Sequence, residues 1–323
     1  MIGDWRIIIP IDNLKFEERT KIGQIDLIPF DELDDEIVSR ISMIDDSTQS
    51  TPQAKEANRR ILEDYIISKF KDKTCACINI YGESDLLYHE AISQVEIVIN
   101  LLRIYIPILK MFREHLRIGI NEGWIQPLSV ICLRQDKNEY IIQNKAFRFK
   151  IDLVISKDEV TLLKDKYHLN DFNELLSKGN SVSKYENQIL TAMKWIGMGI
   201  HDEINSDKLL KLTIALECLI LVGNESKSEA LAEMCSFLLN DNYVYIQIKN
   251  FYKKRSRIVH NGKSDIKNEE IDRFLNLVLS TLFRILDLRK EVGINNKKDL
   301  KKFADSQKSK ILQQRIERCI FID

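Results

Sequence analysis

The chain has 323 residues, 44% of them hydrophobic and 30% charged, with a formal net charge of −1. This composition excludes a disordered chain, and the near-neutral charge argues against a protein that coats nucleic acid through many phosphate contacts. The length allows a large core and predicts two domains.

In chain order, residues 5–11 and 23–29 read as short β-branched strands. Residues 45–52 form a polar loop that leads into a helix over 53–70. Residues 74–81 read as a buried strand, and 84–109 as a long apolar helix that ends near Pro107. Residues 128–133 and 140–155 are expected to pair as a hairpin across the polar turn 135–138. Helices follow over 157–167 and 171–176.

The composition shifts at residues 177–181, Ser-Lys-Gly-Asn-Ser, which reads as a linker. Beyond it nearly everything is helical in pattern: 183–202, 207–222, 227–239, 242–260, and a helix capped by Asp265 or Asn268 that runs to Glu291 before Gly293. Two further helices are expected over 296–304 and 308–319. Short spacers between amphipathic helices favour an antiparallel bundle. The expected fold class is therefore α+β: a mixed α/β domain over residues 1–180, then an all-α bundle over 181–323.

The first residues lack a basic segment followed by an apolar run, so no signal peptide is expected. No stretch is expected to reach the length of a membrane span, because Glu96, Asn100, Arg103 and Pro107 interrupt residues 95–109. These readings place the chain in the cytoplasm, away from membranes. The cysteines Cys75, Cys77, Cys132, Cys218, Cys235 and Cys319 are scattered. Cys75 and Cys77 would share one strand face, without two further ligands at zinc spacing, so buried reduced thiols are expected.

The chemistry concentrates in residues 252–262, Tyr-Lys-Lys-Arg-Ser-Arg-Ile-Val-His-Asn-Gly. Between Asn242 and Ser264 no residue is acidic, whereas Lys249, Lys253, Lys254, Arg255, Arg257 and Lys263 are basic. Ile248, Phe251, Tyr252, Arg255, Ile258 and Val259 make one helical stripe, so Arg255 interrupts an apolar face and needs a partner. A core carboxylate or a phosphate at a subunit interface would serve. His260 lies about 140° further round, just before Gly262, a C-terminal helix signal. A histidine moves protons near neutral pH, and an arginine fork holds phosphate. The plain alternative is a basic helix end that complements its dipole.

Upstream, Ala215-Leu216-Glu217 stands mid-helix about one helical hairpin before Arg255. With Tyr252, Arg255, Ser256, Ile258, Val259, His260 and Gly262, this order resembles the HEPN superfamily, in particular its Apea-like domains, over residues 182–292. Many HEPN proteins place Asn, Asp or His directly after the arginine; here Ser256 stands there. The resemblance implies a ribonuclease without metal or other cofactor, with Arg255 and His260 catalytic. It assigns auxiliary polar roles to Ser256 and Asn261. Glu217 would orient His260, pair with Arg255, or stand as an ordinary exposed helix glutamate. Lys253, Lys254, Arg257 and Lys263 would meet the RNA, either single-stranded RNA or tRNA; the plain alternative for Lys253, Lys254 and Arg257 is a solvated face. The resemblance further implies a homodimer, and a toxin-like antiviral effector released by a phage or regulatory protein, with the N-terminal domain as sensor. Two other readings stay open: a non-catalytic module for dimerisation or partner binding, and a regulator that senses a small ligand.

Other sites find no support. Gly197-Met198-Gly199 lacks the lysine and the preceding strand of a phosphate-binding loop, and neither a Ser-His-Asp nor an H-E-x-x-H pattern occurs. His89, His115, His168 and His201 form no constellation in sequence.

Overall fold

The computed structural model describes residues 2–33, 60, 64, 70–109, 117–120, 129–134, 139–144, 152–222, 227–262 and 265–320. The chain is α+β, with a small N-terminal sheet and a predominance of helix. It divides into two compact units: Met1–Ile99 with Ile106–Thr161, and Asn100–Tyr105 with Leu162–Asp323.

In the first unit, strands β1 (Ile2–Ile11), β5 (Thr74–Glu83), β4 (Ile25–Pro29) and β3 (Thr20–Ile22) form an antiparallel sheet in the order β1-β5-β4-β3. The run of isoleucines in β1 suits a pleated, half-buried surface, and Ile7 stands opposite Ile78. Gly23 turns β3 into β4 with φ 60°, where glycine meets no Cβ penalty. Cys75 and Cys77 lie in an apolar cluster with Ile28, Phe30 and Leu33, and neither is in a disulfide. Burial, then the neighbouring Cys77, pushes the Cys75 thiol up to about 12, so it stays protonated.

One expectation changes here. The predicted hairpin partner over 140–155 is two strands. β7 (Glu139–Asn144) pairs with β6 (Ser129–Arg134), while β8 (Leu153–Ile155) runs parallel to β2 (Leu14–Phe16). Backbone hydrogen bonds of the second pairing link residues far apart in sequence, which local alternation cannot reveal. The predicted loop 45–52 and turn 135–138 lie outside the described residues, as does most of the predicted helix 53–70.

Helix α1 (Ser84–Leu109) keeps Pro107 inside its last turn. Its segment His89–Leu109 is long and apolar enough to cross a membrane by length and composition, which corrects the expectation that no stretch would be. Over its most apolar 18 residues mean hydropathy is 1.6, because the isoleucines and leucines outweigh Glu96 and Arg103, and 56% of that window is buried. Arg103 is itself buried, and its guanidinium donates to Asn100 Oδ1 at 3.0 Å.

The second unit holds the bundle. Its main helices are α4 (Lys184–His201), α5 (Asn205–Ile220), α6 (Lys227–Leu239), α7 (Asn242–Asn261), α8 (Asn268–Val292) and α9 (Lys297–Ile320), preceded by α2 (Lys157–Lys166), which begins in the first unit, and α3 (Leu169–Ser177). The expected linker contains a single helical turn, Gly179–Ser181, and α2 leaves the first unit after Thr161. The two expected tail helices are one, because Asp305-Ser306-Gln307 holds no helix breaker and the Ser306 hydroxyl donates back to the Phe303 carbonyl. Neither Asp265 nor Asn268 caps α8; the cap position is Lys267, whose N–H is accepted by the Glu270 carboxylate.

Ser183 and Glu186 close a capping box at the start of α4. Glu186 is only 7% exposed. Burial alone would raise its pKa, but hydrogen bonds from Lys178, the Ser183 backbone and Arg289 outweigh that and hold the carboxyl at about 2. The folded pKa lies below the unfolded value near 4.5, so this stabilisation is present above pH 4.5 and is lost as pH falls towards 2. The loss should be on the order of 2 kcal/mol. Urea midpoints at acid and neutral pH check it: the wild type should lose more stability on acidification than Glu186→Gln, and equal losses would contradict this role.

Candidate functional site

α7 is fixed at both ends. The Asp241 carboxylate accepts the Tyr243 N–H at 2.8 Å, and Gly262 closes the helix at φ 65° with its N–H on the Ile258 carbonyl. Val244, Ile248 and Phe251 are buried, and the Phe251 ring sits 4.4 Å from that of Phe274 on α8. The apolar stripe then rises towards solvent: Tyr252, Arg255 and Ile258 are half-buried, and Val259 is 51% exposed. Arg255 therefore stands where the stripe leaves the core.

The Arg255 guanidinium lies over the Tyr252 ring, 5.6 Å from its centroid. The Tyr252 hydroxyl donates to Glu217 Oε1 at 3.3 Å, and Lys227 approaches Glu217 Oε2 at 3.5 Å. Burial, then the negative charge of Glu217, raises the Tyr252 pKa, which keeps the hydroxyl a donor. Tyr252 thus touches both Glu217 and Arg255, and no direct ion pair joins those two among the described residues. Among the described residues, Arg255 has no carboxylate partner. Lys297 donates to the carbonyls of Leu221 at 3.0 Å and Glu217 at 3.5 Å, covering the end of α5; burial lowers its pKa.

His260 is exposed on the last turn of α7; Asn261, Lys253 and Arg257 are also exposed, whereas Ser256 is half-buried. No hydrogen bond joins His260 to Arg255 or Glu217 among the described residues. The two side chains leave the helix about 140° apart, Arg255 on the inner side and His260 on the outer. Lys254 is drawn away from the group, since its ammonium pairs with Glu270 at 2.5 Å. Lys263 lies outside the described residues. No three His, Cys, Asp or Glu side chains converge as metal ligands among the described residues.

Sequence reasoning gave Tyr252 no role of its own and missed Lys227 and Lys297. The order Tyr-x-x-Arg is the signal for the first, because residues three apart on a helix are neighbours. The lysines reach this site from other helices and leave no local signal. Comparison with family models, curated proteins and solved structures returns no match.

Proposed function

We propose that this chain is a HEPN-type, metal-independent endoribonuclease of the cytoplasm that acts as a homodimer and serves as an antiviral effector. One observation carries the reading: Arg255 is held on the Tyr252 ring without a carboxylate partner among the described residues, on the helix whose solvent face bears His260. A guanidinium fixed in this way keeps its N–H donors for an external anion. An RNA phosphate supplies that anion, and the ribose beside it supplies the nucleophile.

In this reading His260 takes the proton from a ribose 2′-hydroxyl. The 2′-oxygen then bonds to phosphorus, and the bond to the 5′-oxygen breaks. The leaving 5′-oxygen takes a proton from water, and Arg255 stabilises the charge that builds on the phosphate oxygens. The products are a 2′,3′-cyclic phosphate and a free 5′-hydroxyl. A two-fold axis beside the exposed end of the Arg255 stripe would bring the inner arginine of one copy towards the outer histidine of the other.

Total RNA and DNA incubated with the full chain in EDTA test the reading. RNA should be cut and DNA spared. Intact RNA under all conditions would favour the non-catalytic dimerisation module instead. Light scattering should show an even-numbered oligomer; a strict monomer would remove the two-fold site.

A further inference from the structure

Tyr243, Ile246, Asn250, Lys253, Arg257 and His260 recur at alternating spacings of three and four residues, and all six are exposed. They make one stripe along the solvent side of α7, about 25 Å long at 1.5 Å per residue. It is a different face from the one that carries Arg255. The buried residues Val244, Ile248 and Phe251 lie on the opposite side.

The acids beside this stripe are already engaged. On one flank, Glu229 takes hydrogen bonds from Lys249, at 2.6 Å, and from Tyr245. On the other, Glu270 pairs with Lys254. Asp241 is occupied as the helix cap. Lys253 and Arg257 have no acidic partner among the described residues. Their positive charge is left for something outside the chain.

The order of side chains identifies the ligand class. Tyr243 is 60% exposed and Ile246 54% exposed, one turn apart on the same face, so an aromatic ring and an apolar neighbour stand open to a ligand. Asn250 follows with an amide that both donates and accepts. Lys253 and Arg257 come next, and His260 stands at the far end. An unpaired base can stack on a tyrosine while phosphates meet the cations. A duplex cannot offer its base faces. A second copy of the same face cannot neutralise it, because the stripe contains no carboxylate.

We infer that the outer face of α7 is a track for single-stranded RNA, with Tyr243 as a base-stacking platform and Lys253 and Arg257 as phosphate contacts that lead the strand to His260. This rests on RNA being the substrate, and it adds a binding site remote from the reacting bond.

Fluorescence anisotropy with the full chain tests it, using a labelled 2′-O-methyl single strand of about ten nucleotides that cannot be cleaved by 2′-oxygen attack. Tyr243→Ala should weaken binding by about tenfold and leave the salt dependence unchanged, while Tyr243→Phe should bind like wild type. Lys253→Ala with Arg257→Ala should weaken binding and flatten the salt dependence by about 1.4 in the log–log slope. A duplex of the same sequence should bind more weakly. The track is overturned if wild type fails to bind the strand, or if Tyr243→Ala binds it normally. Equal affinity for the duplex overturns it, and so does a poly-glutamate peptide that binds with the same dependence on Tyr243. Dissociation of an oligomer by Tyr243→Ala would also overturn it, by assigning the face to a second copy. Cleavage measured in parallel separates the two ideas. Tyr243-dependent binding without cleavage by wild type leaves the track and removes the nuclease. Cleavage with binding indifferent to Tyr243 does the reverse.

Discussion

His260→Ala should lower RNA cleavage at least about a hundredfold, the lower end of what a positioned proton-transfer group supplies. Arg255→Ala should lower it by about a hundredfold to a thousandfold, since under the proposed mechanism it removes the donor that stabilises the developing phosphate charge. Neither change should disturb the fold. His260 is exposed at the end of α7, and Arg255 is half-buried, with its guanidinium on the Tyr252 ring and no ion pair among the described residues. Unchanged melting temperatures beside lost cleavage are the expected pairing. Arg255→Lys should also fail largely, because a point-like ammonium neither lies flat on the ring nor presents a planar fork. Cleavage retained in both alanine variants would remove the assignment.

How far this site could be read ahead of the structure depends on range along the chain. The apolar stripe Ile248, Phe251, Tyr252 and its interruption by Arg255 are local, since helical period alone displays them. So is the stop at Gly262, where φ of 65° suits glycine. The solvent stripe from Tyr243 to His260 has the same period and was equally legible, but it holds only two large apolar residues, so a search for buried faces passes over it. The Glu217–Tyr252 hydrogen bond and the Lys254–Glu270 pair join different helices. Nothing in local pattern says which acid a given lysine will meet. The same reason hides the parallel pairing of β2 with β8.

Gly197→Ala is the second change with a large expected effect, on stability. A Cβ at Gly197 would fall 2.7 Å from the Asn100 Cα and closer still to its carbonyl oxygen, so backbone must move to admit it. Overpacking of this kind costs about 1–3 kcal/mol, more where backbone resists. The gain of about 1 kcal/mol from replacing a mid-helix glycine offsets only part of it. Gly199, two residues on, is the internal control. Its Cβ would come no nearer than 3.5 Å, to the Leu212 and Lys211 side chains, an ordinary contact. Gly199→Ala should therefore be neutral or slightly stabilising, while Gly197→Ala lowers the melting temperature and Gly197→Leu prevents a cooperative fold. Equal melting curves for the two alanine variants would contradict the close approach of α4 to Asn100. The glycine pair that sequence reading rejects as a phosphate loop thus holds a helix-packing residue.

The most direct measurement of the central claim uses one RNA strand and its counterpart with a single 2′-deoxy nucleotide on the 5′ side of the cut, both in EDTA. Attack by the substrate's own 2′-oxygen requires that hydroxyl, so the all-ribose strand should be cut and the substituted strand should resist at that bond alone. The upstream product should end in a 2′,3′-cyclic phosphate or its monophosphate hydrolysis product, and the downstream product should begin with a free 5′-hydroxyl. Cutting of the deoxy-substituted bond, efficient cleavage of DNA, or activity only with added magnesium would contradict this mechanism even if His260 proved essential.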